Sequence, residues 1–555
     1  MRIPLHHRLR NIGFLLLFIA GSFIQTIGQG FSQETNARLQ HLIDSFQNNP
    51  ANSYVGGMSA AIKVDGLAFW QGATGYAARN VDGQNNLLPG GTPFTTSVLS
   101  RMYSVTKTFT ASLVLELAKE GILNLNERVD HFLPLNLINS SLNGAVTIRQ
   151  LLAHESGYSE YTDEMQLQIA VAFQPTHSWT IPEILSFVHQ VNAPGAERRY
   201  SSTNYIILGA IIEIATHRPV EQQFRERFFN PSQLHSMFFG EREPLWNGST
   251  LASPHDNISP FNPIFQFTGQ PTFPDAYTNI SAFPFTSIVS LAFTGGAIVS
   301  NVADMAEWGN ALYGGRATSE STLTTMLNSI SPTPDEDGDF LGFGIIRSIK
   351  ISSTDVFIGH DGNGPGYRSV MFYQPGKKMT IAILTNYHGA KLYDVAKALY
   401  ESLPEFTCGN KNKKEDKILV CFNGQNLCVD RQAAAVHIGN GAYLGSCTQQ
   451  PVSRSAIQSE PKTNGQTEPE NAMKVYANPF NEKISISFRM STSGKISLGL
   501  YDISGKLIAT AYNGFAEKGV TQTIEFKTGT LPSGIYFSRL QAQEGVLQQK
   551  LSLVR

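Results

Sequence analysis

The chain lacks an excess of charge of either sign. Of its 555 residues, 42 are Lys or Arg and 44 are Asp or Glu, which gives a formal net charge of −2. Proteins that bind nucleic acids or anionic surfaces through bulk electrostatics carry a basic excess. The charge balance therefore gives no support for a nucleic-acid partner. The length predicts two to four domains, because a single core rarely grows to this size.

Long apolar runs are also lacking, and the one short run lies at the N-terminus. Three arginines in the first ten residues precede the run IGFLLLFIAGSFI, which small and polar residues follow. This order is typical of a secretory signal peptide, predicted over residues 1–30 with cleavage near Gly28–Gln33. A membrane anchor is the alternative, but the run falls short of the roughly 20 apolar residues that a span needs. We therefore expect an exported protein with no transmembrane span after cleavage.

Cysteine is scarce and confined to one stretch. The four residues are Cys408, Cys421, Cys428 and Cys447. An even number, clustered in an exported chain, favours two disulfides, and three pairings are possible. A zinc site is the alternative, but the stretch has no CxxC pair and only His437 nearby.

A zinc-protease motif is lacking as well. The segment HES begins at His154, but the second histidine of HExxH would fall at position 158, which is Tyr158. We expect His154 to be structural, and we expect the protein to need no metal or organic cofactor.

The region 34–404 mixes strand patterns with long amphipathic helix patterns, and strands stand at both of its ends. The pattern predicts two strands joined at a turn in 57–77, helices over 147–158 and 204–218, and a buried strand over 379–389. Such an order indicates an α+β domain whose sheet is closed by the return of the chain.

The remainder of the chain changes character three times. Residues 405–447 form a cysteine-bearing spacer, and residues 448–472 contain three prolines without apolar periodicity, which indicates a flexible linker. Residues 473–555 consist of alternating strand patterns separated by Gly and Pro. They predict a small all-β sandwich.

Ser104 and Lys107 stand three residues apart at the start of an apolar helix predicted over 105–121. Residues at this spacing share a helix face, so the amine can reach the hydroxyl. Burial and the helix N-terminus would lower the pKa of the lysine, and a neutral lysine beside a serine makes an activated nucleophile. In the alternative, Ser104 caps the helix and Lys107 lies on the surface. This segment alone leaves both interpretations open.

The segment MYSVTKTFTASLVLELAKEGILNLNERVDHFLP resembles the nucleophile helix of the serine beta-lactamase-like hydrolases, in the branch of class C beta-lactamases, D-alanyl-D-alanine carboxypeptidases and esterases. Four later segments resemble successive landmarks of that branch in the same order. They are TIRQLLAHESGY, RRYSSTNYIILGAIIE, FTGGAIVSNVADMAEWGNALYGG and LGFGI. The resemblance covers roughly 59–387. It implies an antiparallel sheet with a helical subdomain, an acyl-enzyme on Ser104, and Lys107 as its base.

The second box of this family, Tyr-Ser/Ala-Asn, matches Tyr200, Ser201 and Ser202. The resemblance implies that Tyr200 moves a proton between the serine and the leaving group, together with Lys107. A buried structural tyrosine is the alternative. Ser202 stands where the family has a substrate-binding asparagine and can bind the substrate only in part. Asn204 lies close by in sequence and is a candidate to compensate.

The third box, Lys-Thr-Gly or His-x-Gly, is matched by His360, Asp361 and Gly362 in GHDGNGPGYRS. The resemblance implies a positive or hydrogen-bonding His360 beside the substrate, a close backbone approach at Gly362, and an oxyanion hole formed by the Ser104 and Asn363 amides. Asp361 replaces the usual threonine, which weakens a carboxypeptidase interpretation. A literal KTG at 527–529 lies in the predicted C-terminal β region, and we reject it as chance.

One stretch of the predicted catalytic region is rich in aromatic residues. The run FNPIFQFTGQPTF (261–273) predicts either the lining of a hydrophobic pocket or a variable loop packed on the core.

The last region of the chain resembles the C-terminal sorting domain of the type IX secretion system. The segments that carry this resemblance are VYANPFNEKISISF, LYDISGKLIAT, LPSGIYFSRL and QQKLSLVR. That resemblance implies the type IX machinery as a partner and a location on or beyond the outer membrane of a Gram-negative bacterium. An adhesive β-sandwich is the alternative.

Together these features predict an exported serine hydrolase acting on small esters or peptides. D-alanyl peptides of peptidoglycan and beta-lactams are the alternative substrates. The rival from another class is a catalytically inactive penicillin-recognising or adhesive surface protein. Such a protein would be expected to have lost Ser104, Lys107 or Tyr200, and all three are present.

Overall fold

The computed structural model describes residues 30–49, 54–240, 242–246, 248–335, 337–409, 416–448, 472–476, 483–502, 506–527, 531–532, 534–542 and 545–553. They divide into two compact units, the first ending at Arg454 and the second beginning at Ser455. All but the last residue of the predicted signal peptide lies outside the described residues, as does almost all of the predicted linker. No helix within the described residues is long and apolar enough to cross a membrane.

All helices among the described residues belong to the first unit. They are α1 Gln33–Asn48, α2 Thr106–Lys119, α3 Leu135–Ile138, α4 Ile148–Leu152, α5 Met165–Phe173, α6 Ile181–Leu185, α7 Ser202–Thr216, α8 Val220–Phe224, α9 Asn262–Thr268, α10 Thr286–Gly296, α11 Val302–Tyr313, α12 Glu320–Asn328, α13 Leu392–Glu401 and α14 Arg431–Gly439.

The strands of the first unit are β1 Gly57–Val64, β2 Ala68–Val81, β3 Leu87–Pro93, β4 Ser100–Arg101, β5 Phe238–Phe239, β6 His255–Asp256, β7 Thr278–Asn279, β8 Ile298–Ser300, β9 Phe340–Leu341, β10 Ile346–Ser348, β11 Phe357–Gly364, β12 Tyr367–Gln374, β13 Met379–Thr385, β14 Lys417–Phe422, β15 Gln425–Asp430 and β16 Tyr443–Leu444. Eight of them form an antiparallel sheet in the order β3-β2-β1-β13-β12-β11-β10-β9.

The central strand β13 shows why the sheet is covered on both faces. Every residue of MTIAILT is buried. Ile381 and Ile383 join the core beneath α1 and α13, whereas Ala382 and Leu384 join the core beneath α2, α7 and α11. Successive residues of a strand point to opposite faces, so burial at every position requires a layer on each side. β13 pairs with β1, which confirms that the return of the chain closes the sheet.

Two local predictions have different outcomes. The predicted turn between β1 and β2 is confirmed, because Gly66 has a φ of +66° in the region that favours glycine. The predicted helix over 147–158 is wrong beyond Leu152. Its last helical residue is Leu152, and His154 turns the chain with a φ of +59°. The Nδ1 atom of His154 then accepts a hydrogen bond from the Ser201 amide.

The cysteine-bearing segment folds into β14, β15, α14 and β16. Its disulfides are Cys408–Cys428 and Cys421–Cys447, so two bridges are confirmed and the zinc alternative is wrong. The apolar side chains of Ile418, Val420 and Leu444 lie in the same core as α1 and α13. The segment therefore packs on the face of the sheet that α1 and α13 cover, within the first compact unit.

The second unit consists of β17 Ala472–Tyr476, β18 Lys483–Arg489, β19 Gly494–Asp502, β20 Leu507–Ala516, β21 Thr521–Lys527, β22 Gly534–Ala542 and β23 Gly545–Leu553. One sheet has the order β17-β18-β21 and the other β20-β19-β22-β23. Alternate residues of β18 share one core with Leu498, Leu540 and Leu551 of the other sheet. This arrangement confirms the predicted small β-sandwich.

Candidate active site

Ser104 lies in a single 3-10 turn, Tyr103–Val105, that leads directly into α2. Tyr103 has a φ of +44°, which a residue with a side chain adopts only when its surroundings hold it there. Its hydroxyl donates to the Pro365 carbonyl at 2.9 Å, and its ring occupies the space that a side chain at Gly364 would need. The turn thus fixes Ser104 at the start of α2, facing the end of β11.

Lys107 is completely buried, and three oxygen atoms surround its amine. The Nζ atom lies 2.8 Å from Ser104 Oγ, 3.1 Å from Ser202 Oγ and 2.9 Å from the Gly295 carbonyl. The N-cap position of α2 is Val105, and no side chain caps the helix. The alternative of a capping Ser104 and a surface Lys107 is therefore wrong.

Burial has a direct electrostatic consequence for this amine. It lowers the pKa of Lys107 to about 8, although the negative charges of Glu160 and Asp361 act in the opposite direction. A lysine in water has a pKa of roughly 10.4. A sizeable fraction of Lys107 is consequently neutral near physiological pH, and only the neutral amine can accept the proton of a serine hydroxyl.

Tyr200 stands on the other side of this amine. Its ring stacks on His154 with 4.7 Å between ring centroids, and Lys107 Nζ lies 5.1 Å above it. Burial raises the pKa of Tyr200 well above its usual value, although the neighbouring Ser104 and Ser202 hydroxyls act against this rise. The phenol thus keeps its proton over the working pH range. Tyr200 can donate and relay a proton, whereas Lys107 is the available base.

The residues around Ser202 differ from what the sequence suggests. The Ser202 amide donates to Glu160 at 2.5 Å, and its hydroxyl contacts the lysine amine. Asn204 is fully buried and accepts a hydrogen bond from Ser156, away from this site, so the idea that it compensates for the missing asparagine is wrong. Sequence reasoning missed Glu160, because a single glutamate in the loop SGYSEYTDE has no recognisable spacing to the other site residues.

Strand β11 carries the third box and runs beside the turn of Ser104. A Cβ atom on Gly362 would lie 2.0 Å from the Met102 carbonyl, so only glycine permits this approach of the two backbones. The next residue, Asn363, lies on the wall of the cavity that contains Ser104. Its side-chain oxygen accepts a hydrogen bond from Arg368, at 3.2 Å.

His360 is buried, and its Nδ1 atom donates to the Asp361 carbonyl at 2.7 Å. Burial and the nearby Lys107 lower the pKa of His360 to about 3. The expectation of a positive His360 is therefore wrong, and only its hydrogen-bonding capacity remains. Burial, followed by the charge of Asp339, raises the pKa of Asp361 to about 6, so this carboxyl group is mostly negative at neutral pH.

A cavity of about 420 Å³ opens beside Ser104. Ser104, Ser202 and Asn363 line it, as do the polar residues Thr162, Gln168, Asp256, Asn257 and His388. Most of the remaining wall is apolar and includes Leu167, Val171, Phe261, Phe265, Ile280 and Phe283. The first part of the aromatic run 261–273 thus lines a pocket, which was one of its two predicted roles.

Comparison with known families agrees with this geometry. The model of the beta-lactamase family matches residues 42–402. The chain belongs to the beta-lactamase family of serine hydrolases. A second model, that of the secretion system C-terminal sorting domain, matches residues 474–554. The protein is thus exported by type IX secretion to the cell surface or the medium, and the alternative of an adhesive sandwich is wrong.

Individual relatives are distant. The chain is 30% identical over 207 residues to Protein flp of Staphylococcus aureus strain MW2, which covers 37% of this chain and 39% of that protein. The chain thus spans well under half the length of this relative. It is 26% identical over 351 residues to Penicillin-binding protein 4 of Amycolatopsis lactamdurans, covering 62% of this chain and 84% of that protein.

Solved structures share the fold. The D-amino acid amidase from Ochrobactrum anthropi SV3, complexed with L-phenylalanine amide, superposes with a TM-score of 0.53 at 24% identity, covering 66% of this chain and 98% of the amidase. The octameric penicillin-binding protein homologue from Pyrococcus abyssi gives a TM-score of 0.51 at 16% identity, covering 94% and 96% of the two chains. These similarities confirm the beta-lactamase/transpeptidase-like fold.

Proposed function

We propose that the protein hydrolyses small esters or peptide-like amides through an acyl-enzyme on Ser104. The observation that carries this proposal is the buried Lys107 amine, 2.8 Å from the Ser104 hydroxyl and with a pKa lowered to about 8. A serine hydroxyl is a weak nucleophile unless a base takes its proton. Lys107 is such a base, and its burial supplies the neutral form.

In the proposed reaction, neutral Lys107 accepts the Ser104 proton as Oγ attacks the carbonyl carbon. The backbone N–H groups of Ser104 and Asn363 donate to the oxyanion that forms. The Tyr200 phenol gives its proton to the leaving group and takes one from protonated Lys107, so the bond to the alcohol or amine breaks without a charged leaving group. Water then attacks the acyl-enzyme by the reverse sequence of proton transfers.

The environment of Ser202 and Asp361 bears on the choice of substrate. Ser202 is shorter than the asparagine of the family and already contacts the lysine amine. Asp361 lies on β11, and its negative charge reaches Lys107 and Tyr200, so it opposes a second carboxylate such as that of a D-alanyl leaving group in the site. Both features favour esters or neutral amides over D-alanyl-D-alanine peptides and beta-lactams, which remain the alternative substrates.

Covalent labelling tests this proposal. The full chain, exported and purified from its medium, is treated with a fluorophosphonate and, separately, with a labelled penicillin, and the adducts are located by peptide mass. We expect fluorophosphonate on the peptide that contains Ser104 and little or no penicillin. Labelling by penicillin at a comparable rate would favour the carboxypeptidase or lactamase alternative. Labelling by neither reagent would contradict the acyl-enzyme.

Replacing Tyr200 with phenylalanine tests the proton relay. The stack on His154 is kept and only the hydroxyl is lost, so kcat for an ester should fall by about 10² to 10³. Tyr205→Phe is the matched control, since its ring also lies near Lys107 but its hydroxyl donates to the Leu152 carbonyl. A Tyr200→Phe protein with the wild-type rate would remove the phenol from the mechanism.

A further inference from the structure

The charges around the cavity restrict what it can hold. Among the described residues that line it, none is Lys or Arg, and the one acidic side chain is that of Asp256. Asp256 is already satisfied, because it pairs with His388 at 2.9 Å and accepts from the Gly366 amide at 2.8 Å. His388 also lines the cavity, but Asp256 already pairs with it, so a substrate carboxylate would lose its water there without gaining an unpaired cation. The cavity therefore suits an uncharged, apolar group.

The position of the proton donor shows which half of the substrate this group belongs to. Tyr200 is not among the described residues that line the apolar cavity, but its hydroxyl neighbours those of Ser104 and Ser202, which do line it. A proton donor must reach the leaving group. The leaving group thus departs on the side of Tyr200, and the acyl group of the substrate occupies the apolar cavity.

Helix α5 extends the apolar surface to the outside of the protein. Leu167 and Val171 face the cavity, whereas the neighbouring stripe Met165, Ile169 and Phe173 is 65%, 37% and 43% exposed. Surface helices normally carry polar residues on the face away from the core. α5 presents apolar residues on both stripes, so its outer face is available to an apolar ligand.

Helix α9, which packs against α5, contributes a matching side chain. Phe265 lines the cavity, while Phe267 is 82% exposed and packs edge-on against Phe173, with 6.1 Å between ring centroids. We name Met165, Ile169, Phe173 and Phe267 the apolar rim. Contiguous exposed apolar patches on soluble proteins usually mark binding sites. The rim continues the cavity wall outward along the same two helices.

We propose that the substrates are esters, or neutral amides, of a long apolar acyl chain, whose first part fills the cavity and whose far part lies on the apolar rim. This inference rests on the proposed acyl-enzyme at Ser104. The cavity volume lies within the range of roughly 300 to 1,000 Å³ that is usual for small-ligand sites. Burial of each further methylene group raises kcat/KM by up to about fourfold until the cavity is full.

A chain-length series of p-nitrophenyl esters, from acetate to decanoate below their micelle concentrations, measures this preference. We expect kcat/KM to rise by at least about 100-fold from acetate to octanoate. The succinyl half-ester, which has a carboxylate at the chain end, should react at least about tenfold more slowly than the butyrate. A flat series, or a preference for the succinyl ester, would overturn the inference.

Two variants locate the chain. Val171→Phe fills part of the cavity and should lower the octanoate-to-acetate ratio of kcat/KM at least tenfold. Ile214→Phe, at a 40% exposed position of α7, should leave this ratio unchanged. Phe267→Ser should lower the decanoate-to-butyrate ratio severalfold, whereas Leu137→Ser, at an exposed position of α3, should not. Equal ratios in each variant and its control would overturn the placement.

The labelling experiment distinguishes a failure of the acyl-chain inference from a failure of the proposed function. If fluorophosphonate labels Ser104 and the acetate ester is hydrolysed, but longer chains bring no gain, then the acyl-chain inference fails and the proposed function stands. If Ser104 takes no label and no ester is hydrolysed, then the proposed function itself fails.

Discussion

Replacing Ser104 with alanine should abolish covalent labelling and lower kcat/KM for esters by at least about 10⁴-fold. Loss of the nucleophile in a serine hydrolase leaves only the catalysis that comes from binding and from the oxyanion hole. The Lys107 amine would remain buried beside an alanine, with no hydroxyl at 2.8 Å to activate. The measurement is the rate of fluorophosphonate adduct formation together with steady-state ester hydrolysis.

Ser202 supplies the matched comparison, because its hydroxyl lies 3.1 Å from the same amine. Proximity to Lys107 alone would make it a second candidate nucleophile. We expect Ser202→Ala to form the adduct on Ser104 at a reduced rate, since one partner of the amine is lost. An adduct that persists in Ser104→Ala and disappears in Ser202→Ala would exchange the roles of the two serines.

Replacing Lys107 with methionine should lower kcat/KM by at least about 10³-fold, within the range of general-base effects. In the wild type, kcat/KM should rise with pH through a midpoint of about 8, because protons leave the Lys107 amine as the pH increases. The Lys107→Met protein should lack this rise. A wild-type profile that is flat between pH 6.5 and 9.5, or an unchanged rise in the variant, would show that another group is the base.

The same substitution gives a stability readout that does not depend on activity. The folded protein holds Lys107 at a pKa of about 8, while the unfolded chain binds the proton up to roughly 10.4. The free energy of unfolding of the wild type should therefore increase, relative to Lys107→Met, as the pH rises from about 8 to 10. At pH 7 the burial cost is fully present, of the order of 3 kcal/mol. A difference between the two proteins that does not change with pH would contradict the lowered pKa.

The sequence predicted the parts of the site that depend on local spacing or on motif order. Ser104 and Lys107 meet because they stand three positions apart in a helical segment, and any helix would bring them together. Tyr200 and Ser202 lie about 95 residues further along the chain, and only the resemblance to a family indicated that they belong to the same site. The roles of the predicted site residues are still predictions, which the experiments above test.

Other features could not be predicted because they depend on tertiary packing. The Gly295 carbonyl contacts the lysine amine through its backbone, which leaves no trace in residue identity. The neutral state of His360 follows from burial between elements that are distant in sequence. The end of α4 at Leu152 follows from the turn at His154, whose ring stacks on that of Tyr200. In each case the deciding contact is long-range.

The disulfide pairing of the four cysteines could not be predicted from their spacing either. Three pairings satisfy the spacing. The register of β14 against β15 places Leu419 opposite Cys428 and Asn426 opposite Cys421, so the two strand cysteines are not partners. Cys428 then bonds to Cys408, whose amide donates to the Lys417 carbonyl at the start of β14. Strand register, which spacing alone does not determine, excludes one of the three pairings, and the position of Cys408 beside the start of β14 decides between the other two.

The strained Tyr103 has a consequence for the timing of catalysis. Its hydroxyl and ring attach the turn of Ser104 to Gly364 and Pro365, immediately after Asn363. Ser104 and Asn363, the proposed nucleophile and second oxyanion donor, are thereby held next to each other, although 259 positions separate them in the sequence. A catalytic centre built in this way needs no reorganisation when substrate arrives, so motion during turnover should be confined to the acyl chain and its route of entry.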